Sequence, residues 1–281
     1  MFWQTSRFRI ELDKPRVMGI VNVTPDSFSD GGRHDAMANA MRHCEKLLAE
    51  GADILDIGGE STRPGSPFVP AEVELVRVLP LVKWAVSLGV PISVDTNKPV
   101  VMQAVLDAGA DIVNDILALR APGAIEVLAA HPGSGICLMH MHGEPEHMQR
   151  APMAGNAVPQ VHDFFQSRLN SLLAAGIAVD RIVLDPGIGF GKTVAQNFEL
   201  LAWQRASVPD GFPILAGWSR KSSLGAVTGL EVEHRMVPSV VAAVLAVAQG
   251  ARIVRVHDVA ETVAGLKVLE AMHEPSAQQV R

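Results

Sequence analysis

Short apolar runs recur along the chain, at residues 17–21, 54–57, 92–94, 112–113, 136–139, 182–184, 214–216 and 253–256. They are rich in Ile and Val and do not alternate cleanly with polar residues. Strands covered on both faces in a parallel sheet have this composition. Between the runs lie amphipathic stretches. Residues 36–50 place Met37, Ala40, Met41, Cys44, Leu47 and Leu48 at helical spacing, and 73–88, 98–108, 164–175 and 240–248 show the same period. A strand–helix alternation repeated in this way predicts a closed (β/α)8 barrel or a doubly wound sheet. A partial repeat favours the barrel. Gly51-Ala-Asp-Ile-Leu, Gly109-Ala-Asp-Ile-Val and Gly250-Ala-Arg-Ile-Val each put a glycine where a helix ends and a strand begins.

The chain has 281 residues, 48% of them hydrophobic. A (β/α)8 barrel takes about 250 residues, so the expectation is one domain over 1–281, with a barrel core from about residue 15 to 272 and short tails. The segment at 143–158, rich in Gly and Pro, reads as a loop. The net charge of −6 is spread along the chain, which argues against a nucleic-acid footprint. No apolar stretch is long enough for a membrane span, and the N-terminus lacks a signal-peptide pattern. Cys44 and Cys137 stand alone and read as buried thiols of a reducing compartment. The expected location is therefore the cytoplasm, with no membrane partner.

The polar residues fall just after the apolar runs: Asn22, residues 56–63, Asp95, Asn114, His140, Asp185, residues 219–221, Arg255 and His257. In a (β/α)8 barrel these positions converge at the mouth where active sites are built. Singly, each is a common turn or helix-cap residue; together they form a coherent set. Asp95, Asn114 and Asp185 offer carboxylates and an amide to one cavity. That set suits a flat heterocycle with adjacent N–H donors, such as a 2-amino-4-oxopyrimidine edge. Lys221 adds a donor for a ring carbonyl or ring nitrogen. Arg255 and His257 occupy a usual anion position on the far side of the mouth, and the Asn22 amide oxygen suits a hard cation such as magnesium.

Longer motifs are more specific. Gly19-Ile-Val-Asn-Val-Thr-Pro-Asp-Ser-Phe-Ser-Asp-Gly-Gly32 and Asp53-Ile-Leu-Asp-Ile-Gly-Gly-Glu-Ser-Thr-Arg-Pro-Gly65 resemble the two signatures of the dihydropteroate synthases. Val94-Asp-Thr, Val113-Asn-Asp-Ile, Leu184-Asp-Pro-Gly-Ile-Gly-Phe-Gly-Lys192, Gly217-Trp-Ser-Arg-Lys-Ser222 and Arg255-Val-His257 follow in that family's order, so the resemblance spans residues 17–272.

The resemblance implies a transferase of folate biosynthesis and a target of sulfonamides. It would join (7,8-dihydropterin-6-yl)methyl diphosphate to 4-aminobenzoate by dissociative substitution, with Mg2+ as cofactor, and work as a homodimer. A pterin pocket is implied at Asp95, Asn114, Asp185 and Lys221, packed by Met139, Phe190 and Gly217. A diphosphate site is implied at Asn22, Thr62, Arg255 and His257, with the metal on Asn22. Aminobenzoate contacts are implied at Thr62, Arg63, Pro64 and Ser219. Asp95, Lys221, Arg63 and Asp30 form the implied catalytic set, Asp30 and Arg63 belonging to loops that close over the substrates.

Three other readings remain: a methyltetrahydrofolate-type methyltransferase domain, a non-catalytic pterin-binding paralogue, and a phosphate-binding aldolase or isomerase on the same fold. The first has no diphosphate to hold, the second conflicts with the complete polar set, and the third lacks a Schiff-base lysine inside a strand. His140-x-His142 lacks a third ligand for a metal. Gly187-Ile-Gly-Phe-Gly191 imitates part of a dinucleotide fingerprint but reads better as a tight strand-to-helix turn, and the spacing of Lys192 fails for a phosphate-binding loop lysine.

Overall fold

The computed structural model describes residues 1–23, 33–61, 66–144, 148 and 150–273. Asp30, Gly31, Thr62, Arg63 and Pro64 lie outside the described residues. Each predicted apolar run is a strand: β3 (Arg16–Asn22), β4 (Ile54–Gly58), β5 (Ile92–Asp95), β6 (Ile112–Asp115), β7 (Gly135–Met139), β8 (Ile182–Asp185), β9 (Leu215–Ala216) and β10 (Ile253–Val256). All pairings among them are parallel, in the order β8-β7-β6-β5-β4-β3-β10-β9. The sheet closes on itself where Leu184 bridges Ile214 and its N–H reaches Pro213 O at 3.0 Å.

The helices are α1 (Arg33–Ala49), α2 (Ala71–Ala85), α3 (Pro99–Asp107), α4 (Ala124–Ala130), α5 (Ala157–Ala174), α6 (Val194–Ala202), α7 (Ser222–Thr228), α8 (Met236–Ala248) and α9 (Val259–His273). The repeat glycines behave as expected. Gly51, Gly109 and Gly250 have φ of 101°, 99° and 101°, a left-handed conformation that a side chain would strain. Asn156 caps α5 by accepting from Val158 N–H at 2.9 Å, so this helix starts well before the periodic stretch at 164–175.

Residues alternate along each strand, so one set faces the helices and the other faces the barrel axis. Val17, Val21, Leu55, Ile57, Val94, Val254 and Val256 belong to the outer layer, with helix residues such as Leu47, Val78 and Leu81. Met18, Ile54, Ile112, Cys137, Val183, Leu215 and Ile253 form the inner layer at the lower end. Two residues further along the same strands, the inward positions turn polar: Ile54 gives way to Asp56, Ile112 to Asn114, Val183 to Asp185 and Ile253 to Arg255. The barrel is thus oil below and charge above.

An antiparallel hairpin, β1 (Phe2–Gln4) and β2 (Arg9–Glu11), closes the lower end. Its Trp3 is fully buried against the inner layer together with Ile10 and Leu12, and its indole N–H donates to Arg181 O at 2.8 Å. Arg7 fastens the hairpin by an ion pair of 2.6 Å to the buried Asp111. Cys44 and Cys137 are free and buried, as expected, and burial pushes the Cys44 thiol up to about 12. Among the described residues no helix is long and apolar enough to cross a membrane.

Candidate active site

The upper inward positions build one connected network. Asp56 is fully buried and accepts from Ser93 Oγ at 2.6 Å, Arg255 Nε at 2.6 Å and Asn114 Nδ2 at 3.2 Å. Arg255 also donates through Nη2 to Asp95 at 2.8 Å. A carboxylate pair sharing one guanidinium fits the fork geometry of arginine. Burial pushes the Asp95 carboxyl up to about 7; Arg255 pulls it down, and neighbouring carboxylates, Asp56 first, push it up again. We place the weight on burial and like charge, because one guanidinium is divided between two acids.

The second wall comes from β7, β8 and the turns after them. The Asp185 carboxylate accepts from Gly187 N–H at 2.7 Å. Burial raises its pKa, against the pull of that N–H and of Lys221, Lys192 and Arg255. Gly187 has φ of 71°, and a Cβ there would lie 1.8 Å from His140 O, so only glycine fits. A Cβ on Gly217 would approach the Asp185 carboxylate to 3.8 Å, so glycine keeps that side of the carboxylate uncovered. Met139 and Phe190 pack with Ile116, Met141 and Met148 into a separate apolar cluster beside these polar groups. Lys221 stands at the N-cap just before α7 and holds its ammonium 4.2 Å from the centre of the Phe190 ring.

The third side is formed by β3, β10 and their loops. Ser219 Oγ and His257 Nδ1 lie 2.9 Å apart, and His257 N–H donates to the same hydroxyl at 3.1 Å. Asn22, His257, His43, Lys46 and Arg220 line a cavity of about 350 Å³, with Asp258, Glu50 and Glu261 at its acidic edge. Arg220, at φ of 58°, is ion-paired to Asp258 at 2.6 Å. Asn22 lines this cavity, and its amide oxygen is of the ligand type that hard cations such as Mg2+ take. No group of three or more His, Cys, Asp or Glu able to hold a metal occurs among the described residues. His140 is packed edge-on against Phe164, its Nδ1 has no partner among the described residues, and burial drives its pKa down to about 2, so it is neutral.

The structure therefore gathers Asp95, Asn114, Asp185, Lys221, Met139, Phe190 and Gly217 around the mouth, as the motifs imply. It corrects one expectation. Arg255 does not stand on the far side of the mouth; it is tied into the acidic cup by Asp56 and Asp95. Ser219 and His257, expected at different substrate subsites, are hydrogen-bonded to each other, so these subsites share an edge. Asp56, the hub, had no assigned role. The signal was present in Ile54-x-Asp56, because a carboxylate two residues after an inward apolar residue shares its face.

A closed parallel barrel with titratable groups at the carboxyl ends of its strands defines a (β/α)8-barrel enzyme with its active site at the mouth. A family model described as pterin binding enzyme matches residues 18–257. The dihydropteroate synthase of Neisseria meningitidis serogroup C is 50% identical over 274 residues, covering 96% of this chain and 97% of the relative. That of Escherichia coli is 46% identical over 263 residues, covering 93% of each. The Burkholderia cenocepacia dihydropteroate synthase complexed with 7,8-dihydropteroate superimposes with a TM-score of 0.90 at 49% identity, covering 99% of this chain and 98% of that one. The Xanthomonas albilineans enzyme with 4-aminobenzoic acid gives 0.89 at 49%, covering 94% and 95%. The chain belongs to the pterin-binding enzyme family, among its dihydropteroate synthases.

Proposed function

We propose that the chain condenses (7,8-dihydropterin-6-yl)methyl diphosphate with 4-aminobenzoate, giving 7,8-dihydropteroate and diphosphate. The observation that carries the reading is the cup itself: Asp56, Asp95, Asn114 and Asp185 project from separate strands into one buried mouth beside an apolar wall. The relatives solved with 7,8-dihydropteroate and with 4-aminobenzoic acid support it. In this reading Asp95, Asn114, Asp185 and Lys221 take the polar edge of the pterin, with Met139, Phe190 and Gly217 around the ring. Asn22 and His257 take the diphosphate, and Ser219 faces aminobenzoate. Asp30, Thr62, Arg63 and Pro64 are assigned by motif alone.

The reaction breaks the bond between the exocyclic methylene and the diphosphate oxygen, whose electron pair leaves with diphosphate. The positive charge spreads into the dihydropterin ring. A preorganised Asp95 carboxylate in a dry site stabilises that charge, as fixed charges do best where water is excluded. The aryl amine is a neutral nucleophile; its lone pair makes the new C–N bond and it then loses a proton, so attack requires no strong base. Arg255 holds Asp56 through Nε and Asp95 through Nη2, and its remaining N–H groups could meet the departing diphosphate. Magnesium, bound through the Asn22 oxygen, would neutralise charge on the diphosphate.

We further propose a homodimer formed through α8. Val237, Val241 and Leu245 stand at i, i+4 and i+8, with 64%, 52% and 48% of their surface exposed, and Val268 and Met272 extend the patch on the neighbouring α9. Contiguous apolar patches of this kind mark interaction surfaces. The buried free thiols suit the cytoplasm. The decisive experiment incubates the purified protein with the dihydropterin diphosphate, 4-aminobenzoate and Mg2+. Dihydropteroate and diphosphate are expected in equal amounts; the absence of both would sink the reading.

A further inference from the structure

Lys192 is a buried cation that the reaction above does not use. It is only 3% exposed. Its ammonium donates to Gly187 O at 2.8 Å, Phe190 O at 3.2 Å and His140 O at 3.3 Å. An ammonium has three N–H bonds, and these carbonyls match them, drawn from two separate turns. One turn follows β8 and the other follows β7.

Both turns hold the pterin-facing wall. Gly187 N–H donates to the Asp185 side chain at 2.7 Å, and Asp185 O accepts from His140 N–H at 2.9 Å. Phe190 N–H returns to Gly187 O at 3.1 Å, while the Phe190 ring lies under the Lys221 ammonium. The two turns press together so tightly that a Cβ on Gly187 or Gly191 would meet the carbonyl oxygen of His140 or His142 at 1.8 or 2.1 Å. Closely packed carbonyls repel one another unless a donor lies between them, and Lys192 provides that donor.

We propose that Lys192 is a positioning residue for the pterin-binding carboxylate: its ammonium pins the turn at Gly187 to the end of β7 and fixes both the placement and the charge of Asp185. The proposal rests on the pterin reading of the mouth. Charge enters because the groups face one another. Burial pushes Lys192 down to about 7, Asp185 opposes that shift and Lys221 adds to it. Burial raises Asp185, and Lys192 is one of three side-chain cations opposing the rise, after Lys221 and ahead of Arg255. Of the other titratable groups nearby, His140 is neutral and burial pushes the Cys137 thiol up, so it is neutral too, while His142 adjoins the turn at Gly191. Loss of the Lys192 charge would therefore move the Asp185 titration to higher pH.

The test uses the full chain as Lys192→Met and Lys192→Gln, titrated calorimetrically with a pterin lacking the diphosphate from pH 6 to 9. Steady-state KM for 4-aminobenzoate is measured in parallel. Both variants are expected to bind the pterin at least ten-fold more weakly, with the acid limb of affinity moved to higher pH and the aminobenzoate KM within two-fold of wild type. A purely structural lysine would not move the acid limb. A variant that melts like wild type, binds within two-fold and keeps its limb in place overturns the proposal. Should Lys192→Met fail to fold, Lys192→Gln decides, since its amide still donates to two of the carbonyls. Should both fail, the nitrogen resonance of the wild-type lysine titrating near 7 decides: it must move when the pterin saturates the protein, and a fixed resonance overturns the assignment. Wild-type protein that binds no pterin would instead remove the underlying reading of the mouth.

Discussion

Asp56→Asn is the sharpest perturbation of the mouth. One carboxylate oxygen accepts from Ser93; the other accepts from both Arg255 and Asn114. An amide that turns its oxygen to Arg255 and Asn114 can still donate its NH2 to the Ser93 hydroxyl, but it carries no charge to offset Arg255. The variant also breaks the charge pair with Arg255, in which Asp56 is fully buried and Arg255 is 21% exposed. Removing one partner of such a pair costs about 3–5 kcal/mol. At roughly 2 °C per kcal/mol for a chain of this size, the melting temperature should fall by about 6–10 °C. A stability near the middle of the usual range, about 10 kcal/mol, leaves the variant folded at 25 °C, so activity remains measurable. Arg255 would fall to Asp95 alone, and Asp95 would lose a like-charged neighbour; both effects lower the Asp95 pKa from about 7. If Asp95 acts as carboxylate, the acid limb of kcat/KM moves to lower pH even as turnover falls. Calorimetric melting and a pH–rate profile read the two effects separately. A melting point within 2 °C of wild type, or an acid limb that stays put or rises, would refute the reasoning.

Asp95→Asn should lose about 10²–10³ in turnover, the usual cost of one preorganised electrostatic group, as measured by dihydropteroate formation. The Asp95 pKa is raised in the fold, so its stabilising contribution is full below the ordinary carboxylate range and lost as pH rises through about 7. Urea unfolding should accordingly show wild-type stability falling more steeply across that window than the variant's. Trp3→Ala removes the plug at the lower end and strands Arg181 O; a loss of about 3–5 kcal/mol is expected in urea unfolding, with kcat of the folded protein unchanged because the mouth is at the opposite end. Leu245→Lys should convert a dimer to a monomer in sedimentation equilibrium, and an unchanged mass would remove α8 from the interface.

The barrel was legible in the sequence because parallel strands covered on both faces produce compact apolar runs, and all the runs became strands. Four helices were not legible. α4 and α7 run only 7 residues each, too short for a period to emerge, whereas α6 matches the legible α3 at 9 residues. α9 buries Val259 and Leu266 on one face but exposes Val268 and Met272 on another, so its apolar positions do not form a single stripe. The hairpin of β1 and β2 has 3-residue strands and is defined by its tertiary partner, Arg181, far along the chain. Of the site, residue identity was readable and connection was not. Arg255 looked like a free rim cation because its acidic partners lie 160 and 199 residues away. Period-2 counting along β10, from Ile253 to Arg255, already put it on the inner face with Asp56 and Asp95.

That inner placement explains why the barrel is divided as it is. Asp56, Asp95 and Asp185 are carboxylates withdrawn from water, and a guanidinium shared between two of them repays desolvation incompletely. Burial pushes both Asp95 and Asp185 toward protonation, the sign of a site held above its lowest free energy. The offset must come from elsewhere, and the lower barrel supplies it: an inner layer of Met18, Ile54, Ile112, Val183, Leu215 and Ile253 sealed by Trp3. Since β4, β6, β8 and β10 each contribute one residue to the oil and the next inward residue to the polar network, stability and chemistry are set by neighbouring positions on the same strand. Substituting an apolar inward residue should then disturb the mouth through register and strand tilt, whereas Trp3, on a separate hairpin, should alter stability alone. A Trp3→Ala enzyme with a shifted pH–rate profile would show that the two layers are coupled more tightly than this division allows.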